Sequence, residues 1–144
     1  MLLAIGSDHG GFQLKEIIKK HLAEQQISVK DFGTYTTESV DYPDISKSVA
    51  QAVADGQYDR GIIVCGTGIG VSIAANKVKG IRAALCHDVF SAQMSREHNN
   101  ANVLTLGERV IGPGLALMIV DTWLKTEFAG GRHEQRVCKI ANME

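Results

Sequence analysis

The sequence predicts an α/β fold in which one parallel sheet lies between two layers of helix. Three observations carry that expectation. Short apolar runs of strand length alternate with longer segments in which apolar residues recur at helical spacing. Strand alternating with helix implies parallel pairing, because right-handed crossovers return the chain to the same sheet and cover both of its faces. Composition is uniform from end to end, 44% hydrophobic and 22% charged with two prolines in 144 residues, so neither a second domain nor a disordered tract is expected. A chain of this length buries roughly 70% of its extended surface, enough to fold without a disulfide or structural metal. The expectation is a single doubly wound, Rossmann-like three-layer domain over residues 1–144, with strand order 2-1-3-4-5 and a C-terminal helix.

Leu2 to Ile5 is the first apolar run and reads as a buried strand. Beyond Gly6-Ser7-Asp8-His9-Gly10-Gly11, the residues Leu14, Ile17, Ile18, His21 and Leu22 follow the i, i+3, i+4, i+7, i+8 stripe of a helix laid on a sheet. Val29 to Phe32 is the second strand. Gly33 to Pro43, with its Thr, Ser and Tyr residues, is the longest loop and a candidate to line a site. Ile45, Val49 and Val53 mark the second helix, and Gly61 to Val64 the third strand. Gly66 to Gly70 then opens a helix through Val71, Ser72, Ile73 and Ala74. Ile81 to Leu85, the stripe Phe90 and Met94, Asn102 to Leu106, and the stripe Leu115, Ile119 and Trp123 continue the alternation. Arg132, Arg136, Val137, Ile140 and Ala141 have the spacing of a last helix.

A net charge of −1 with both signs scattered provides no broad basic surface, which disfavours nucleic acid as a partner. The apolar start, Met1 to Ile5, is too short for a signal sequence, and no run approaches the ~20 residues of a membrane span. A cytoplasmic protein without membrane contact is expected. The three cysteines, Cys65, Cys86 and Cys138, form no C-x-x-C pair, so a disulfide framework and a zinc site are both disfavoured. Cys86 ends an apolar run and reads as a small buried hydrophobe.

In open parallel sheets a ligand binds beyond the carboxyl ends of the strands, where the strand order reverses. Here that point lies between strands one and three. Asp8-His9 follows the first and Cys65-Gly66-Thr67-Gly68-Ile69-Gly70 the second, so the two segments richest in chemistry meet there. The glycine turn aims backbone amides at an anion, or serves only as a tight packing turn. It matches neither the P-loop, lacking the Lys-Ser/Thr end, nor G-x-G-x-x-G, because Val71 holds the last position. Cys65 stands just before it, where free amides favour a thiolate and hence a catalytic base; the alternative is a buried strand-end cysteine. Asp8 faces the crevice or caps the next helix, and His9 reads as a hydrogen-bonding group.

His98-Asn99-Asn100 closes the fourth helix ahead of the fifth strand, at the opposite edge of the sheet from Cys65. If His98 is catalytic, a second subunit supplies it across a two-fold interface; otherwise these residues cap their helix. Arg132 and Arg136, four apart, share one helix face and suit a phosphate, and Arg109 after the fifth strand adds a third guanidinium. A solvated charged face is the alternative. Arg60 and Arg82 open strands at the wrong edge for this site.

Together, Gly6-Ser7-Asp8-His9-Gly10-Gly11-Phe12, Asp41-Tyr42-Pro43, Cys65-Gly66-Thr67-Gly68-Ile69-Gly70, Ser95-Arg96-Glu97-His98-Asn99 and Gly130-Gly131-Arg132-His133 closely resemble the ribose-5-phosphate isomerase type B family, in order along nearly the whole chain. That family includes allose-6-phosphate isomerases and the two subunits of galactose-6-phosphate isomerase, so the resemblance fixes the reaction class better than the sugar. It implies an aldose-ketose isomerase interconverting D-ribose 5-phosphate and D-ribulose 5-phosphate in the non-oxidative pentose phosphate pathway, with allose 6-phosphate or galactose 6-phosphate as the alternative. By this resemblance Cys65 moves a proton between C1 and C2 through a cis-enediolate. Some members use a glutamate on the following helix, and Ser72-Ile73-Ala74-Ala75 contains none. His98 then opens the furanose ring with help from Asp8. Thr67 and the amides of Gly66, Thr67, Gly68, Ile69 and Gly70 form the anion hole. His9, Arg109, Arg132 and Arg136 take the phosphate, and Asn99 the sugar hydroxyls. No metal and no cofactor are implied, and the assembly is a homodimer or homotetramer with sites shared between subunits.

Two other classes compete on the same fold. A flavin- or nucleotide-binding module would give Cys65 no role and use Asp88, about 20 residues past the glycine turn, as its ribose ligand. A non-catalytic sugar-phosphate binder would keep the arginines and tolerate loss of the thiol.

Overall fold

The structure, a computed structural model, describes residues 1–144. Five strands, β1 (Leu2–Ser7), β2 (Ser28–Asp31), β3 (Arg60–Cys65), β4 (Ala83–Leu85) and β5 (Val103–Gly107), pair in parallel. They alternate with α1 (Phe12–Glu24), α2 (Tyr42–Ala54), α3 (Ile69–Ala75), α4 (Val89–Glu97) and α5 (Pro113–Lys125), and α6 (Arg132–Ala141) follows. A 3-10 turn at His9–Gly11 leads into α1. Successive strand residues face opposite sides. Leu3, Ile5, Ile62, Val64, Leu104 and Leu106 meet α1, α4 and α5 in one core with Trp123, and Ala4, Ile63, Cys65 and Val103 meet α2 and α3 in the other. Each wholly buried Leu or Ile contributes about 2 kcal/mol, so the two cores fix which face of each strand meets which helices.

The strand order is β2-β1-β3-β5-β4, which corrects the expected 2-1-3-4-5 at the far edge. Burial explains the exchange. β5 is buried at all five positions, whereas β4 has three residues, none of them buried, and suits an edge. β5 therefore lies against β3, with Gly61 level with Val103 and Cys65 level with Gly107. Ile81, assigned to the fourth strand on its sequence, is buried ahead of β4 instead.

The α4 helix departs from its predicted face. Phe90 is 70% exposed, and α4 turns Ala92, Ser95 and Arg96 inward in place of the expected Phe90 and Met94 stripe. Arg96 makes this possible by donating to the carbonyl of Ala101 and lying over the Trp123 ring. α6 buries no residue at all, although Val137 and Ile140 lie on it. No helix is long and apolar enough to cross a membrane.

Candidate active site

The carboxyl ends of β1, β3 and β5 converge as the switch-point argument requires, and the hydrogen bonds show how. Asp8 N–H donates to the Val64 carbonyl at 3.2 Å, Glu108 N–H to Cys65 at 2.9 Å, and Arg109 N–H to Gly66 at 3.0 Å. A Cβ on Gly10 would stand 3.3 Å from the Gly66 nitrogen, and one on Gly66 would stand 3.4 Å from the Arg109 guanidinium. One chain thus brings together Asp8, His9, Cys65, Thr67 and Arg109. The place of Arg109 beside Gly66 is a direct result of β5 lying next to β3.

Within the turn, Gly68 has φ of +76°, and a Cβ there would come within 2.5 Å of Leu85 and 2.9 Å of the Leu106 backbone, so only glycine fits. Its N–H donates to Cys65 Sγ at 3.0 Å, and Ile69 N–H donates to Thr67 Oγ1 at 3.3 Å. Two of the five amides of the expected anion hole are therefore engaged inside the turn. Those of Gly66, Thr67 and Gly70 have no partner in the chain. Cys65 is 5% exposed, with an N–H aimed at its sulfur that stabilises negative charge there. Burial pushes the Cys86 thiol up to about 11, and Cys138 is exposed on α6.

Asp8 does cap: its Oδ1 accepts from Gly10 N–H at 2.9 Å and Gly11 N–H at 3.1 Å, which leaves Oδ2 for a ligand. His9 Nδ1 accepts from Val40 N–H at 3.2 Å, so the proton sits on Nε2, a donor suited to an anion. The loop expected to line the site reaches it in this way, and Tyr42, the first residue of α2, reaches it in another. A Cβ on Gly70 would stand 2.6 Å from the Tyr42 ring. Tyr42 had no assigned role on sequence grounds, although it stands in the motif Asp41-Tyr42-Pro43; nothing in one sequence says that its ring folds over the glycine turn.

A second cluster forms elsewhere. His98 is the C-cap of α4, and Asn100 after it has φ of +47°, so the capping reading of these residues is realised. Arg82 fixes the turn by donating to the carbonyls of Asn99 and Asn100 at 3.0 and 3.1 Å. The His98 ring stacks on His133, with centroids 4.2 Å apart and planes 11° off parallel. His133, next to Arg132 in a motif whose histidine had no assigned role, is the second residue missed. Desolvation and the nearby His98, Arg132 and Arg136 hold its imidazole below the ordinary histidine range. Arg132 and Arg136 themselves are exposed.

His98 and Cys65 are far apart for a reason different from the one expected. They do not lie at opposite edges, because β5 adjoins β3. They lie at opposite ends: Cys65 is level with Gly107 and His98 precedes Val103, so four strand residues, about 13 Å, intervene along the sheet. Arg60, at the same amino end, donates to the Trp123 and Leu124 carbonyls at 3.0 and 2.9 Å and is structural. Asp88 is the N-cap of α4, with both oxygens engaged by Ser91 at 2.7 Å, which removes the ribose ligand that a nucleotide module would need. No group of three or more His, Cys, Asp or Glu side chains is placed to hold a metal ion.

Comparison with known proteins finds relatives along nearly the whole chain. The family model described as Ribose/Galactose Isomerase matches residues 3–140. Ribose-5-phosphate isomerase B of Escherichia coli is 54% identical over 142 residues, covering 99% of this chain and 95% of that protein. The structure of Clostridium thermocellum ribose-5-phosphate isomerase B superimposes with a TM-score of 0.98 at 61% identity, covering 99% of this chain and 97% of the other. That of ribose-5-phosphate isomerase B from Mycoplasma genitalium, solved with bound ribulose-5-phosphate, gives 0.95 at 45% identity, covering 99% and 95%. The fold is thus shared with these enzymes over nearly the whole chain, and the chain belongs to the ribose/galactose isomerase family.

Proposed function

We propose that this chain is an aldose-ketose isomerase that interconverts D-ribose 5-phosphate and D-ribulose 5-phosphate. The observation that carries the reading is Cys65, a buried thiol with the Gly68 N–H on its sulfur, standing against three unpartnered turn amides. As a thiolate it takes the C2 proton of the open-chain aldose; the electron pair moves into the C1–C2 bond and the charge goes to O1. The Gly66, Thr67 and Gly70 amides and the Thr67 hydroxyl receive that charge, each donor worth up to about 3 kcal/mol in the transition state. The O2 proton then passes to O1, the electrons of the O2–H bond form the C2 carbonyl, and the C1–C2 π pair takes the proton back from Cys65 at C1, which gives the ketose and restores the thiolate. The relatives named for ribose 5-phosphate favour the pentose over allose 6-phosphate and galactose 6-phosphate.

His98, as the group that opens the furanose ring, comes to this site from a second copy of the chain, together with Asn99 for the sugar hydroxyls and Arg132 and Arg136 for the phosphate. Asp8 Oδ2 assists at the ring oxygen or C1 hydroxyl, and His9 and Arg109 bind phosphate from the Cys65 side. The support is geometric: one chain holds the two clusters at opposite ends of its sheet, and α6 carries its arginines on a helix that buries nothing. A two-fold pair of chains completes two such sites.

The test is the Cys65→Ala variant assayed on ribose 5-phosphate, beside wild type assayed on ribose 5-phosphate, allose 6-phosphate and galactose 6-phosphate. Lost turnover with retained binding, and fastest wild-type turnover on the pentose, are expected. Undiminished turnover by the variant would refute the mechanism, and faster turnover of a hexose phosphate would reassign the substrate.

A further inference from the structure

Lys15 is wholly buried on α1, yet nothing in the chemistry above uses it. Its Nζ donates to both Asp31 oxygens, at 2.8 and 2.9 Å, and to the Thr34 carbonyl. The Phe12 and Tyr35 rings flank it, with centroids 5.5 and 5.4 Å away. Asp31 is drawn into the same unit. Burial works to raise its carboxyl, but hydrogen bonds from Lys15, Lys19 and the Gly33 N–H outweigh that and hold it below the usual carboxylate range.

This ammonium grips the start of the segment that runs from β2 to α2. Gly33 and Thr34 are bonded there to Ser7, the last residue of β1, while residues 35–39 are exposed. The far end of the segment delivers Val40, whose N–H meets His9 Nδ1, and Tyr42, whose ring covers Gly70. A buried charge is costly unless fully paired, so three acceptors committed to one ammonium make a rigid anchor. We infer that Lys15 is a positioning residue: by clamping Asp31 and Thr34 it sets the path of residues 33–40 so that Val40 holds the His9 ring with Nε2–H toward the substrate phosphate. The inference rests on the phosphate-binding reading of His9.

The test is a double-mutant cycle. Lys15→Met alone strands the Asp31 charge, so it is paired with Asp31→Asn, which removes the charge and keeps an acceptor for Gly33 N–H. We expect the double variant Lys15→Met/Asp31→Asn to remain folded, to exchange its Val40 amide faster, and to raise KM for ribose 5-phosphate about tenfold with kcat changed much less. His9→Ala should raise KM by a similar factor. Combining all three changes should add nothing further to KM, because both lesions act through one ring. Independent multiplication of the two effects, or an unchanged KM in Lys15→Met/Asp31→Asn beside a raised one in His9→Ala, would overturn the clamp alone. An unchanged KM in His9→Ala would overturn the reading of His9, and the clamp with it.

Discussion

The two ends of the sheet present their chemistry in different ways. At the carboxyl end, main-chain bonds from β1 and β5 to Val64, Cys65 and Gly66 lock Asp8, the glycine turn and Arg109 into one body. At the amino end, His98 and Asn99 cap one helix, while Arg132 and Arg136 extend from another that buries none of its residues. The first cluster is complete as one chain folds. The second has two stacked imidazoles, an amide and two guanidiniums but no thiol and no turn of free amides, and its Asn99, Arg132 and Arg136 are exposed. In the proposed two-chain site, one half is an internal product of the fold and the other half is a surface supplied by a second copy.

Substitutions can break that contrast from either side. The largest effect is expected for Cys65→Ala, which should lower kcat on the order of 10³-fold while circular dichroism and thermal midpoint stay near wild type. Gly68→Ala comes next. It forces an L residue to φ of +76° and drives a methyl group against Leu85 and Leu106, so we expect a loss of about 2–3 kcal/mol in urea unfolding together with most activity. At the amino end the signature reverses: Arg132→Ala or Arg136→Ala should raise KM about tenfold and leave stability unchanged, because both side chains are exposed and the loss is one charge-assisted contact.

The smallest effect concerns His133. A histidine whose folded value lies below 6.5 binds protons more readily when unfolded, so stability is lost as pH falls through that value and recovered above it. Urea midpoints measured from about pH 7.5 to about 5.5 should show this decline in wild type, and His133→Ala should flatten it. An equal slope in the variant would mean that His133 is not the source of the decline.

The carboxyl-end cluster was legible in the sequence because strand-end logic is local: a residue just after a buried strand stands at the sheet's rim whatever its neighbours are. The order of β4 and β5 was not, since Ile81 to Leu85 and Asn102 to Leu106 are similarly apolar and only the tertiary burial of β5 decides which is central. Arg109 accordingly appeared as an outlying donor and proves to adjoin Gly66. The inward face of α4 was hidden for a related reason, because Arg96 enters the core only with the Ala101 carbonyl and the Trp123 ring there to receive it. Tyr42 and His133 stood in motifs without a role, since ring-on-glycine and ring-on-ring contacts leave no periodic trace. The separation of His98 from Cys65 was anticipated, but it runs along the strands and not across them.

The measurement that bears most directly on the two-ended site mixes two inactive proteins. Cys65→Ala retains His98, and His98→Asn retains Cys65. If each site takes Cys65 from one chain and His98 from another, unfolding the pair together and refolding them at equal concentration should restore about one quarter of wild-type turnover, because half the dimers are mixed and each mixed dimer has one intact site. No recovery above the two separate proteins, with mixed dimers shown to have formed, would contradict a site built from two chains.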